Sequence, residues 1–263
     1  MDLQLAIICL LTFVIHLIGT LAYSARIAGV RTRRIAISFA LFNILMLVSR
    51  TSNSFQAPFL AKRIETGVSP HLLADFRWLL FSATAATLVG ALLIPTFQRM
   101  FSRAVQEFQV HRSIPRLLLH GFMKGGVSQL RDSVSLPVKG NLSGWRGRRP
   151  ISPGTLCLNV VAVALWTVGG FAALYAGHLD PRFRVTASTL SAIVNGVATI
   201  LMFVFIDPQL SIMTDDVMEG RVSEPGFRQA IVWLVGGRCA GTVLAQFLLV
   251  PASLAIVHLA EKL

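Results

Sequence analysis

The chain has 263 residues, 54% of them apolar and only 14% charged, with a mean hydropathy of +0.67 and a formal net charge of +12. A soluble domain of this length cannot hide so much apolar surface, so lipid must solvate most of it. The basic excess points to anionic lipid rather than nucleic acid, because no groove of interleaved basic and aromatic residues accompanies it.

Six apolar runs read as membrane spans: Leu3–Tyr23, Ile35–Val48, Trp78–Thr96, Leu156–Ala176, Val185–Ile206 and Ile231–Leu259. The fold class is all-α, a polytopic helix bundle of about six transmembrane helices with a cytoplasmic amphipathic helix, forming one domain over residues 1–263. Only Met1 and Asp2 precede the first run, and it has no basic flank or small-residue cleavage site. It reads as a retained helix rather than a signal peptide. His16 lies inside it and Asn43 inside the second run, where a polar group needs a partner in the bundle or a wet cavity. An interhelical hydrogen bond is the expected solution for both.

Arg26, Arg31, Arg33 and Arg34 crowd the hinge after the first run, and Arg50, Ser52, Asn53 and Gln56 follow the second. The Ile35–Val48 run is short for a bilayer and is expected to borrow polar residues at both ends. Arginines of this kind hold phosphate oxygens bidentately. The hinge set is either such a site or a group of snorkelling interfacial anchors. The excess of base in the hinge and in segment 97–153 places both in the cytoplasm and both termini outside. Arg50 then falls at the outer end of the second span, where the rule disfavours arginine and a functional role is favoured.

Within 97–153, Phe97, Met100, Phe101, Val105 and Phe108 recur at helical spacing opposite Gln98, Arg99, Arg103, Gln106 and Glu107. That pattern predicts an amphipathic helix, either lying on the inner leaflet or prolonging the third span. Ile114, Leu117, Leu118 and Phe122 extend its pattern beyond Pro115, and a Gly- and Arg-rich linker follows to Pro150. Ser82, Ala86 and Gly90 in span three, and Ser188, Ala192 and Gly196 in span five, predict close helix contacts. Asn195, with Ser188, Ser191 and Thr199, either lines a cavity or glues helices together. No internal repeat is evident.

Arg238 is either inside a long sixth span, and then a candidate functional residue, or at the cytoplasmic edge of a shorter one beginning at Cys239. Asp215, Asp216 and Glu219 have a spacing that suits a hard cation on a diphosphate. They equally suit a helix start, where carboxylates complement the dipole. Cys9, Cys157 and Cys239 have no pairing or metal spacing and read as small core residues. No zinc-protease, nucleophile-elbow, phosphate-loop or dinucleotide motif occurs, and no cofactor is implied.

Two segments carry a family likeness. LAYSARIAGVRTRRIAISFALFNILMLVSRTSNSFQAP, Leu21 to Pro58, closely resembles the signature of the Amj family, the alternate lipid II flippases of bacteria. DPQLSIMTDDVMEG, Asp207 to Gly220, is similar to a second block of that family. The resemblance implies a multi-pass protein of the bacterial cytoplasmic membrane. It implies transport of lipid II, the undecaprenyl-pyrophosphate-linked disaccharide-pentapeptide, from inner to outer leaflet for peptidoglycan synthesis. Such a carrier needs cations, amides and hydroxyls around the diphosphate, which selects Arg26, Arg31, Arg34, Arg50, Asn53 and Gln56, with His16 and Arg238, as the substrate lining. The rival readings are a metal-dependent prenyl-pyrophosphate enzyme using Asp215, Asp216 and Glu219, and a scaffold that binds anionic phospholipids.

Overall fold

The computed structural model describes residues 2–111, 133–135 and 151–263. The sequence-based expectations for Ile114–Phe122 and for the linker up to Pro150 lie outside the described residues. The chain is an all-α membrane bundle. Its helices are α1 (Leu3–Thr32), α2 (Ile35–Glu65), α3 (Leu72–His111), α4 (Pro153–Leu179), α5 (Arg184–Leu201), α6 (Asp207–Met218) and α7 (Glu224–Lys262). Among the described residues six segments are long and apolar enough to cross a membrane, one of them joining α5 to α6. Leu10, Leu47, Phe81, Leu92, Ile193, Phe203 and Phe247 lie exposed on the outside, as expected of side chains whose solvent is lipid.

The boundaries have local causes. Asp2, Ser152 and Ser223 each accept a backbone N–H at the start of a helix, satisfying a donor the helix itself leaves open. α5 passes into α6 through a π-helical turn, Met202–Ile206, just before Pro208. The wider turn accommodates a residue that has no N–H to donate and whose ring crowds the preceding turn.

α2 is 31 residues long and runs well past Val48. The second span is therefore not short. The polar run from Ser49 to Gln56 interrupts its hydropathy but not its helix. α3 has 40 residues, so the amphipathic segment prolongs the third span, the second of its two expected arrangements. Its apolar face does not lie on a leaflet: Phe101 and Val105 are buried in a cluster with Phe42, Ala25 and Ala28.

The spans form two halves of the same design. α1 packs along both α2 and α3, which hardly touch; α4 packs along both α5 and α7, which hardly touch. The third helices, α3 and α7, make the main contact between halves. Each half has three alternating spans, so the second runs in the opposite sense to the first. The two halves thus share one contact pattern, although no repeat is evident in the sequence.

The helix crossings are partly as expected. Ser82 Oγ donates to the Cys9 carbonyl at 2.7 Å, and Gly90 lies directly beneath Thr20, so the span-three stripe packs on α1. The span-five stripe does not pack: Ala192 is exposed and nothing lies near Gly196. α5 instead meets α4 through Ala187, Leu190, Ala198 and Asn195, the last against Gly169. The seam between α4 and α7 depends on Gly237 and Gly241, which face Asn159, Val160 and Val163. Cys157 is exposed rather than a core residue, while Cys9 and Cys239 are half-buried.

Two apolar clusters tie the halves together at opposite ends. Near the chain start, Leu5 and Ile8 of α1 join Leu60, Phe76, Leu79, Phe171, Leu190 and Leu249. Near the α1–α2 hinge, Tyr23, Ile27 and Val30 join Ile151, Ile206, Leu210, Phe227 and Leu234.

Candidate functional site

Between these two clusters the buried residues change character. Thr12, His16 and Thr20 of α1, Thr87 of α3, Thr167 of α4 and Thr242 of α7 are all at most 5% exposed. Each threonine hydroxyl donates to a carbonyl of its own helix. That disposes of the proton and leaves the oxygen free to accept from another helix.

Two of them do accept. Thr12 Oγ1 takes a hydrogen bond from Gln56 Nε2 of α2, and Thr20 Oγ1 takes one from Arg238 Nε of α7 at 3.2 Å. Thr12, His16 and Thr20 are one helical turn apart, so they form a line along one side of α1. His16, in the middle, has a buried Nδ1 without a hydrogen-bond partner. The expected interhelical bond for His16 is therefore not made at that nitrogen.

Arg238 lies within the single continuous helix α7 (Glu224–Lys262). Its guanidinium lies so close over Gly19 that a Cβ there would run into Nη2. Among the described residues no carboxylate pairs with it. An arginine held at mid-helix by one hydroxyl, with its outer nitrogens uncommitted, is what an anion-binding group in a membrane requires.

The other predicted residues fall in three places. Arg31, Arg33 and Arg34 are exposed at the hinge, where Arg33 takes a left-handed backbone (φ 53°) that turns the chain. Arg26 is not free for a ligand: it pairs with Asp207 at 3.0 Å and its guanidinium lies 5.1 Å from the centre of the Phe39 ring. The pair joins the segments at Leu21–Pro58 and Asp207–Gly220 across the two halves. Gln56 is buried against α1.

Arg50 and Asn53 are separate from that layer. The bonds from Ser38 to Ala25, Gln56 to Thr12 and Arg63 to Asp2 fix the antiparallel register of α2 on α1. Arg50 is thereby level with His16, midway along α2. Asn43, Arg50 and Asn53 are exposed on α2, turned away from α1. This corrects the expected partnering of Asn43 within the bundle.

At the far end of α2, Arg63 is 3% exposed, 2.8 Å from Asp75 and 2.6 Å from Asp2. It is a structural clamp on the chain start. The Leu5 backbone N–H, and after it Arg63, holds the Asp2 carboxyl below its usual range. Beside this end lies a cleft of about 440 Å³ lined by His71, Arg77, Tyr175 and His178 among others.

Asp215, Asp216 and Glu219 are at the end of α6, not at a helix start. Carboxylates there oppose the dipole, and Arg221 compensates by pairing with Asp216 at 2.8 Å and with Glu219. Sequence reasoning missed Thr12, Thr20 and Gly19. The only signal for the two threonines was spacing, Thr12-x-x-x-His16-x-x-x-Thr20, a polar line at i and i+4 within an apolar run.

A family model described as "Alternate to MurJ" matches residues 11–260. A protein of Bacillus subtilis (strain 168) named "Lipid II flippase Amj" is 35% identical over 268 residues, spanning 98% of this chain and 96% of the relative. No solved structure matches. With nearly its whole length aligned on both counts, the chain belongs to the Amj family.

Proposed function

We propose that this chain is a lipid II flippase of the bacterial cytoplasmic membrane, moving the polyprenyl-diphosphate-linked disaccharide-pentapeptide from the inner to the outer leaflet. It acts as a transporter and not as an enzyme. The observation that carries the reading is the buried polar layer around Arg238, closed at both ends by apolar clusters that bridge the two halves. A diphosphate crossing hydrocarbon needs a counter-charge at mid-depth, and loosening one cluster at a time would open that layer to each leaflet in turn.

The hinge end faces the cytoplasm in this reading, following the excess of arginine there. Arg31, Arg33 and Arg34 meet anionic lipid headgroups at that surface. A membrane potential negative inside drives an anionic head outward by about 2.3 kcal/mol per charge per 100 mV, so the potential itself can supply the driving force. Asp216 and Glu219 are already paired with Arg221, which gives the metal-dependent enzyme reading no support.

The test is complementation. In a bacterium depleted of its resident lipid II flippase, expression of this chain should restore lipid II at the outer surface, measured by an externally added probe. Unrestored exposure with the protein present in the membrane would contradict the proposal and favour a scaffold.

A further inference from the structure

We infer that Arg238, His16, Thr20 and Gly19 form an oxyanion site specific for a phosphate or diphosphate group. The inference deepens the flippase reading and rests on it for the identity of the lipid, but the site is argued from its own geometry.

Thr20 has donated its proton to the His16 carbonyl at 2.8 Å, so its oxygen acts only as an acceptor toward Arg238 Nε. It is therefore a positioning residue and does not touch the anion. By fixing Nε it leaves Nη1 and Nη2, the parallel pair that matches two oxygens of one phosphoryl group. Gly19 is the second positioning element. Any side chain there would displace Nη2, so the absence of a Cβ lets the Nη2 edge of the guanidinium approach α1.

His16 supplies the remaining recognition. It lies one turn from Thr20 on the same face of α1, 5% exposed, with Nδ1 unpartnered. An unpaired ring nitrogen in a buried setting is costly, and a phosphate oxygen relieves that cost when Nδ1 carries the proton. Tyr23, one further turn along, closes the hinge side. Acidic side chains would repel such a ligand, and among the described residues none pairs with Arg238. The acidic groups nearest the hinge side are engaged elsewhere, Asp207 by Arg26.

The chemistry recognised is shared by a lipid-linked diphosphate and by free pyrophosphate. Binding to the purified full chain in lipid nanodiscs, by titration calorimetry with farnesyl diphosphate, inorganic pyrophosphate and farnesol, separates the two. Farnesyl diphosphate should bind and farnesol should not, and Arg238→Gln should weaken farnesyl diphosphate at least tenfold. Gly19→Ala keeps the charge but moves it, and should weaken binding severalfold with an unchanged melting temperature.

Pyrophosphate binding as tightly as farnesyl diphosphate, still dependent on Arg238, would support the site with a free anion as its ligand. Equal binding of farnesyl diphosphate by wild type, Arg238→Gln and Gly19→Ala would overturn the site, as would equal binding of farnesol. Because no transport is measured, failure here with complementation intact would reject the site and leave the flippase reading standing.

Discussion

Arg238→Gln is expected to reduce lipid II exposure in the complementation assay by one to two orders of magnitude while leaving the amount of membrane-inserted protein unchanged. The guanidinium is part-buried beside the polar layer and has no ion-pair partner among the described residues, and Thr20 and Gly19 lie against it. Hydrogen bonds to charged groups contribute about 1.5–3 kcal/mol, which corresponds to roughly ten- to hundredfold. Arg238→Lys should retain part of the activity, since an ammonium keeps the charge but loses the fork. A Gln variant with wild-type exposure would show that the substrate takes another route, the exposed face of α2 at Arg50 being the alternative.

Single charge reversals at Arg26 and Asp207 are expected to cripple transport, and the double reversal Arg26→Asp with Asp207→Arg to recover most of it. The pair bridges the two halves at the hinge end, with side chains 16% and 41% exposed, so solvent screening tempers its strength. Either single reversal sets like charges against each other where the halves must close. The double reversal restores attraction across the halves. If Arg26 instead contacted the substrate directly, the double variant would remain inactive. The same exposure assay therefore decides between a latch and a ligand.

The spans themselves were legible in the sequence, because a membrane helix must be apolar over its length. α2 shows where that signal fails. Its polar stretch from Ser49 to Gln56 reads as a span end, yet Gln56 and Ser52 are buried on α1 and the helix continues to Glu65. Hydropathy sums over a window and does not register that one face is covered by a neighbour. Asp215 and Asp216 failed for a related reason: a cap motif predicts a helix start only when no helix is already running, and α6 had begun at Asp207.

The site was half legible. His16 and Arg238 stood out as ionisable groups in apolar runs, which is a local property. The contact between Arg238 and Thr20 spans 218 positions, and nothing local announces it. Arg26 was singled out as a substrate-lining residue, whereas its partner in the structure, Asp207, lies in a distant segment. Lacking a side chain, Gly19 gave no chemical signal at all, and its meaning comes only from what rests upon it.

The most direct test is transport by the purified chain as the sole protein in liposomes, following fluorescent lipid II by its bleaching with a membrane-impermeant reductant. The account predicts that wild-type vesicles expose inner-leaflet lipid II well above the rate of protein-free vesicles, and that Arg238→Gln vesicles fall to the protein-free rate. Wild-type vesicles no faster than protein-free ones, with the protein folded and inserted, would contradict it.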